Sequence, residues 1–200
     1  MRARIIGIAL ATLVLIAPAY ADAIFNTGDH PQPNEQNVLF ILDQTGTTVD
    51  GETNHSHTLV QYSSTTDTLI ATGGQSDLDA ADGLINNVTI TVPGHTFLDF
   101  ILNPFKPGAN NDLVVTVVTN TGPFVFTYGD THGDNFLTIT TNGGEVIDSV
   151  KIDSVSGFQG LKQPRVSGIS GVTVVPEPSS MLLLGSGLLG VAGMLRRKRL

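Results

Sequence analysis

Between residues 22 and 175 the chain is built from short runs rich in Val, Ile, Thr and Phe, roughly 8 to 14 residues apart, with no sustained apolar stripe at helical spacing. The runs are Val38–Leu42, His57–Tyr62, Thr68–Ala71, Asn87–Val92, Thr96–Leu102, Leu113–Thr119, Phe124–Tyr128, Phe136–Thr141, Val146–Ile152 and Val166–Val175. Alternation of polar and apolar residues, clean in Thr89-Ile90-Thr91 and Thr138-Ile139-Thr140, is the mark of a strand with one buried face. Gly, Asn, Asp and Pro fill the gaps, as at Thr72-Gly73-Gly74, Pro93-Gly94 and Asn103 to Gly108. These residues favour turns through positive φ, fixed φ or side-chain bonds to the backbone. Asn142-Gly143 between two runs predicts a tight hairpin. The pattern predicts an all-β body, a single antiparallel β-sandwich or jelly-roll-like domain. Residues 22–37, polar with two prolines, read as an extended first strand or an ordered loop. No internal repeat is present, so a solenoid is not expected.

The two ends have a different composition. Arg2 and Arg4 precede an apolar stretch, Ile5 to Ile16, and Ala19-Tyr20-Ala21 places small residues at the two positions a signal peptidase reads. Residues 1–21 therefore read as a secretory signal peptide, cleaved before Asp22, with Ala21-Asp22-Ala23 as a second site. At the other end Val175-Pro176-Glu177-Pro178 leads into an apolar run, Met181 to Leu195, and then Arg196-Arg197-Lys198-Arg199. As a helix at 1.5 Å per residue, 181–195 spans about 22 Å against a hydrocarbon core of about 30 Å. Ser179, Ser180 and snorkelling arginines bring it close to a full transmembrane helix. The basic cluster 196–199 is a stop that stays in the cytoplasm. Both ends thus predict the same topology, with the body outside the membrane and the basic end in the cytoplasm. Gly185, Gly187, Gly190 and Gly193 make the span small-faced, either to admit a partner helix or as simple filler.

The Pro-Glu-Pro tripeptide, the Gly- and Leu-rich span and the Arg/Lys end together resemble the PEP-CTERM sorting signal of Gram-negative bacteria. The same tail is also catalogued as an ice-binding protein C-terminal motif, a label that does not extend to the body. The resemblance covers residues 175–200 and implies recognition by an exosortase, cleavage near Pro176-Glu177-Pro178, and release or display among exopolysaccharide, as in a biofilm matrix. The stretches Phe136-Leu137-Thr138-Ile139, Gly144 to Val150 and Lys162 to Ser170 are similar in cadence to the closing strands of uncharacterised PEP-CTERM bodies.

Charge is segregated. Six of the ten basic residues lie in the end segments, so the body sets 17 acidic side chains against Lys106, Lys151, Lys162 and Arg165, a net charge of −13 with His neutral. Such a body repels nucleic acid and anionic membranes and attracts divalent cations or cationic polymers. There is no cysteine, which excludes disulfide and thiolate chemistry, and no Trp. Only Tyr62 and Tyr128 remain as body tyrosines, a poor supply for a sugar-stacking platform.

Several constellations could carry chemistry. Asp77, Asp79 and Asp82, followed by Gly83, put three carboxylates in six residues, a calcium loop or a solvated turn; Ala81 and Thr89 exclude an EF-hand. Asp130 and Asp134, with Asn135 around Gly133, form a second candidate of the same kind. His55 and His57, read as strand residues, would share a face as a metal pair, with His95 or His132 to complete it; Gln61 stands where a cupin has Glu. No nucleophile elbow or phosphate-cradling loop is present in the body. Thr-rich strands could present a flat hydroxyl face, but in sequence the threonines pair only in short stretches. The expected role is a non-catalytic binding or structural domain at the cell surface or in the exopolysaccharide matrix. The alternative is a carboxylate-pair or metal-assisted polysaccharide hydrolase, and a third reading is an adhesive module that pairs edge strands with its own copies.

Overall fold

The computed structural model describes residues 22–74, 77–107, 112–129 and 135–171. The predicted signal peptide with Ala19 and Ala21, the sorting residues Pro176, Glu177, Pro178 and 196–199, and the predicted span 181–195 lie outside the described residues.

In chain order the strands are β1 (Ala23–Thr27), β2 (Gln36–Leu39), β3 (Gln44–Gly46), β4 (Thr48–Thr53), β5 (Leu59–Ser63), β6 (Leu69–Ala71), β7 (Asp77–Ala80), β8 (Ile85–Thr91), β9 (His95–Thr96), β10 (Asp99–Pro107), β11 (Asp112–Thr119), β12 (Gly122–Gly129), β13 (Leu137–Thr141), β14 (Ile147–Ser167) and β15 (Ser170–Gly171). Every pairing is antiparallel, so the all-β expectation holds.

β14 organises the rest. Straight, its 21 residues would reach about 70 Å at about 3.3 Å per residue, against roughly 40 Å across a domain of this size. Besides an extra residue at Asp148 against β11, it carries two bulges along its length. Between Asp153↔Asn87 and Phe158↔Ile85, the four residues Ser154 to Gly157 of β14 face only Asn86 of β8. Gly157 sits at φ 72°, where an added Cβ would stand 2.8 Å from Leu84 Cβ. Further on, Gln163 and Pro164 face the single residue Leu102 of β10, with Gln163 at φ 49°. A bulge is where a strand can take a proline without losing a ladder bond.

Because of the bend, the first half of β14 pairs with β8 and β11 while the second half pairs with β10, β2 and β7. The path β1–β13–β10–β14–β2–β4–β5–β8 then returns from β8 to β14. The expected pair of separate stacked sheets is replaced by one 13-stranded network with a barrel-like closure, since one bent strand serves both sides of the core. Inside lies one apolar cluster that draws on both halves, among them Tyr62, Val88, Ile90, Val115 and Ile152 with Phe100, Leu102, Ile139, Phe158 and Leu161.

The bend exposes a polar requirement. Where β14 swings away, the Asn86 and Asn87 amides donate to Asp67 Oδ2 at 2.9 and 3.1 Å, and Thr66 Oγ1 and Ser64 Oγ lie at 2.7 and 3.1 Å from the same oxygen. Asn86 Nδ2 reaches Ser154 O at 3.4 Å. Burial alone would raise the Asp67 carboxyl, but these hydrogen bonds outweigh it and hold it below the ordinary carboxylate value.

The Asn142-Gly143 turn forms, with Glu145 N donating to Asn142 O, but it does not make a hairpin. β13 goes to β1 and β10, while β14 starts against β11. The tight hairpin is instead β11–β12, closed by Asn120 and Thr121.

Candidate functional site

The acidic stretch is a strand, β7, and not a loop. Leu78 and Ala80 point into the core, which puts Asp77 and Asp79 together on the outward face. Both turn an oxygen over Gly160 of β14, where an added Cβ would meet Asp79 Oδ1 at 2.7 Å and Asp77 Oδ1 at 3.5 Å. Lys162 Nζ pairs with Asp77 Oδ2 at 3.2 Å and lies 4.0 Å from the centre of the Phe105 ring. Burial, and then repulsion from Asp77, raise the Asp79 carboxyl; Lys162 offsets part of this. Asp82 does not join them. Its Oδ1 accepts from the Leu84 amide at 3.2 Å, an Asx-turn contact. An ammonium already sits where a cation would be drawn, and among the described residues no three His, Cys, Asp or Glu gather as a metal site. Asp130 and Asp134 lie outside the described residues. We expect Asp79→Asn to raise the thermal midpoint at neutral pH. The folded state penalises the ionised carboxyl, so the gain shrinks as pH falls through the raised folded pKa and protonation relieves wild type as well; a pH series of unfolding curves reads this directly.

The histidine pair is corrected too. His55 and His57 lie in the turn between β4 and β5, with His57 at φ 54°, so the two-residue strand period does not apply. His57 Nδ1 contacts Glu52 Oε1 instead of a second imidazole. Tyr62 is no platform: it is fully buried against Phe40, and burial pushes its hydroxyl pKa up.

The aromatic residues gather elsewhere. β12 alternates, so Phe124, Phe126 and Tyr128 turn inward while Pro123, Val125 and Thr127 turn out. Across from it, Phe25 of β1 stacks on Phe126 with centroids 4.9 Å apart and planes 10° from parallel. Phe136 lies beyond, with the Arg165 guanidinium 5.5 Å from its ring centre. Arg165 also binds Glu35 Oε1 through Nη1 at 2.7 Å and Asp29 Oδ1 through Nη2 at 2.6 Å, which ties the segment between β1 and β2 onto β14. Between β1 and β12 runs an open groove of about 400 Å³ lined by Thr27, Gly28, Phe126, Tyr128, Gly129 and Phe136 among others. The spacing of Phe124, Phe126 and Tyr128 was visible in sequence; their meeting with Phe25 and Phe136 depends on long-range pairing.

On the outward face, register shows which hydroxyls meet. Register places Thr48, Ser63, Thr89, Lys151, Thr116 and Val125 in one row across six strands. The hydroxyls do align, but Lys151, paired with Asp153 at 2.9 Å, interrupts them.

Residues 174–198 match the PEP-CTERM protein-sorting motif. No curated protein matches the chain, and no solved structure does.

Proposed function

We propose that the chain is exported, held briefly in the inner membrane by its tail, processed by an exosortase, and delivered to the cell surface or the exopolysaccharide matrix of a Gram-negative bacterium, where the β body serves as a non-catalytic binding or structural domain. The observation that carries this reading is the sorting motif at 174–198, which begins three residues after β15 ends the described body. An acidic body of net charge −13 suits a hydrated, cation-rich matrix. Calcium, the cofactor weighed from sequence, would have to displace Lys162 from Asp77.

The test is a sorting experiment. Replacing Pro176, Glu177 and Pro178 together by alanine should leave an unprocessed form in the inner-membrane fraction and remove the protein from the surface and medium. Unchanged processing of that variant would count against the reading. The rival reading is a polysaccharide hydrolase using Asp77 and Asp79. It predicts loss of exopolysaccharide breakdown in Asp79→Asn with the fold intact, whereas the binding reading predicts no change.

A further inference from the structure

Among the described residues three strands of the network have a single partner, β1, β12 and the three-residue β3, and the first two border the aromatic groove. Among the described residues, β1 pairs only with β13 and β12 only with β11. Neither strand carries a charge, in a body with 17 carboxylates. Edge strands are normally blunted by charge, proline or a bulge. Along its eight residues β12 has only Pro123, near its start, and Val125 is 65% exposed.

The hairpin tells which backbone groups are free. A two-residue turn makes Thr119 and Gly122 the hydrogen-bonded closing pair, and pairs then alternate along the ladder. The amides and carbonyls of Val125 and Thr127 therefore face away from β11. Pro123, which has no N–H, falls in the same outward set, the one place where it costs β11 nothing.

We propose that β12 pairs edge to edge with β12 of a second copy, antiparallel and centred on Phe126. In that register Val125 of one copy stands opposite Thr127 of the other, and each such pair exchanges both backbone hydrogen bonds. Pro123 then falls opposite Gly129 at each end of the paired stretch, where its missing N–H removes one bond and limits the ladder to the two central pairs. The strand is thus complementary to itself about one residue, which favours a second copy over an unrelated strand. Charge points the same way. Two bodies of net charge −13 repel at long range and meet where neither carries charge, so added salt strengthens this contact, whereas a basic partner would be released by salt. One strand pair buries less than a stable interface needs. The association is therefore weak in dilute solution and matters where copies are crowded, by effective concentration. This holds wherever the chain is delivered.

The experiment is sedimentation velocity of the full chain in mild detergent, across a concentration series at low and high salt. Wild type should show a dimer that grows with concentration and with salt. Val125→Lys should abolish it, with an unchanged circular dichroism spectrum and thermal midpoint. Val155→Lys, at a site 97% exposed on the β14 bulge, should leave it intact. Association driven by the apolar tail would survive Val125→Lys and overturn the proposal. So would a monomer at every concentration, a dimer dissolved by salt, or a monomer whose groove binds neutral glycan and loses it in Val125→Lys.

Discussion

Asp67→Ala should cost the body about 3 kcal/mol, the largest loss expected from any single carboxylate here. The reason lies in the bend of β14 and not in the side chain's own packing. The four residues from Ser154 to Gly157 leave the ladder at Asn86, and the Asp67 carboxylate receives the Asn86 and Asn87 amides. Truncation strands two amides, in a site where Asp67 is 6% and Asn87 7% exposed, and takes the acceptor from the Thr66 hydroxyl, while Ser64 Oγ keeps Asn87 Oδ1 at 3.2 Å. A buried unsatisfied group costs about 1–3 kcal/mol. For a body of this size each kcal/mol moves the midpoint by about 2–4 °C, so a drop of about 10 °C is the reading on a thermal melt. Asp67→Asn keeps an acceptor but not the charge and should cost about half as much. The pH dependence has a definite sign. The folded carboxyl lies below its unfolded value, so its contribution is fully present above the ordinary carboxylate range near pH 4 and is lost as pH falls through the folded value. Asp67→Asn should flatten that part of the stability profile.

Arg165→Met should be comparably costly, at about 3 kcal/mol. The arginine side chain is 14% exposed, as is that of Glu35, which it binds through Nη1, while Nη2 holds Asp29. Glu35 is further engaged, accepting from the Gln32 amide at 2.9 Å. Removing the arginine leaves a shielded carboxylate without its cation and frees the segment between β1 and β2, which begins at Gly28 in the groove wall. Arg165→Lys keeps the charge but cannot make the two-pronged contact or stack on the ring, and should recover only part of the loss. The double variant Arg165→Met/Glu35→Leu is the informative one. If the cost comes from the stranded charge, it should be more stable than Arg165→Met alone, measured by denaturant midpoints at constant slope.

Strand content was readable wherever β-branched and aromatic residues dominate. β11, β12 and β13 fall within a residue or two of the runs that predict them. The misses share a cause. β4, Thr48-Val49-Asp50-Gly51-Glu52-Thr53, has the alternation of a strand but the composition of a loop. Its glycine is there because an added Cβ at Gly51 would stand 2.7 Å from Val38 Cγ1 on β2. β7 was taken for a loop because its outward positions are acidic, although Leu78 and Ala80 keep period two. β14 was read as two strands, ending at Ile152 and resuming at Val166, because Gly157, Gly160 and Pro164 look like breakers. They are bulge and close-contact residues of one bent strand, and only the partners that receive them explain them.

The candidate sites divide the same way. A local turn signal at Asn142-Gly143 predicted a turn correctly and a pairing wrongly, since the turn residues say nothing about which strands are neighbours. His55 and His57 were placed on a strand that starts two residues later. The groove could not be read in advance, because Phe25, Phe126 and Phe136 are brought together by β1–β13 pairing and by the closure through β14. The sorting tail needed no fold to be legible, because what reads it is a linear order of tripeptide, apolar span and basic stop.

The most direct test of the account is the mass of the mature protein, recovered from the envelope and medium of a host with its exosortase and of one without. With the enzyme present, the chain should begin at the signal-peptide cleavage site near Asp22 and end near Pro176-Glu177-Pro178, without the apolar span and Arg196–Arg199. Without it, the chain should keep its C-terminus through Leu200 and remain with the inner membrane. A mature chain that retains Arg196 to Leu200 in both hosts, in the same fraction and amount, would contradict the account.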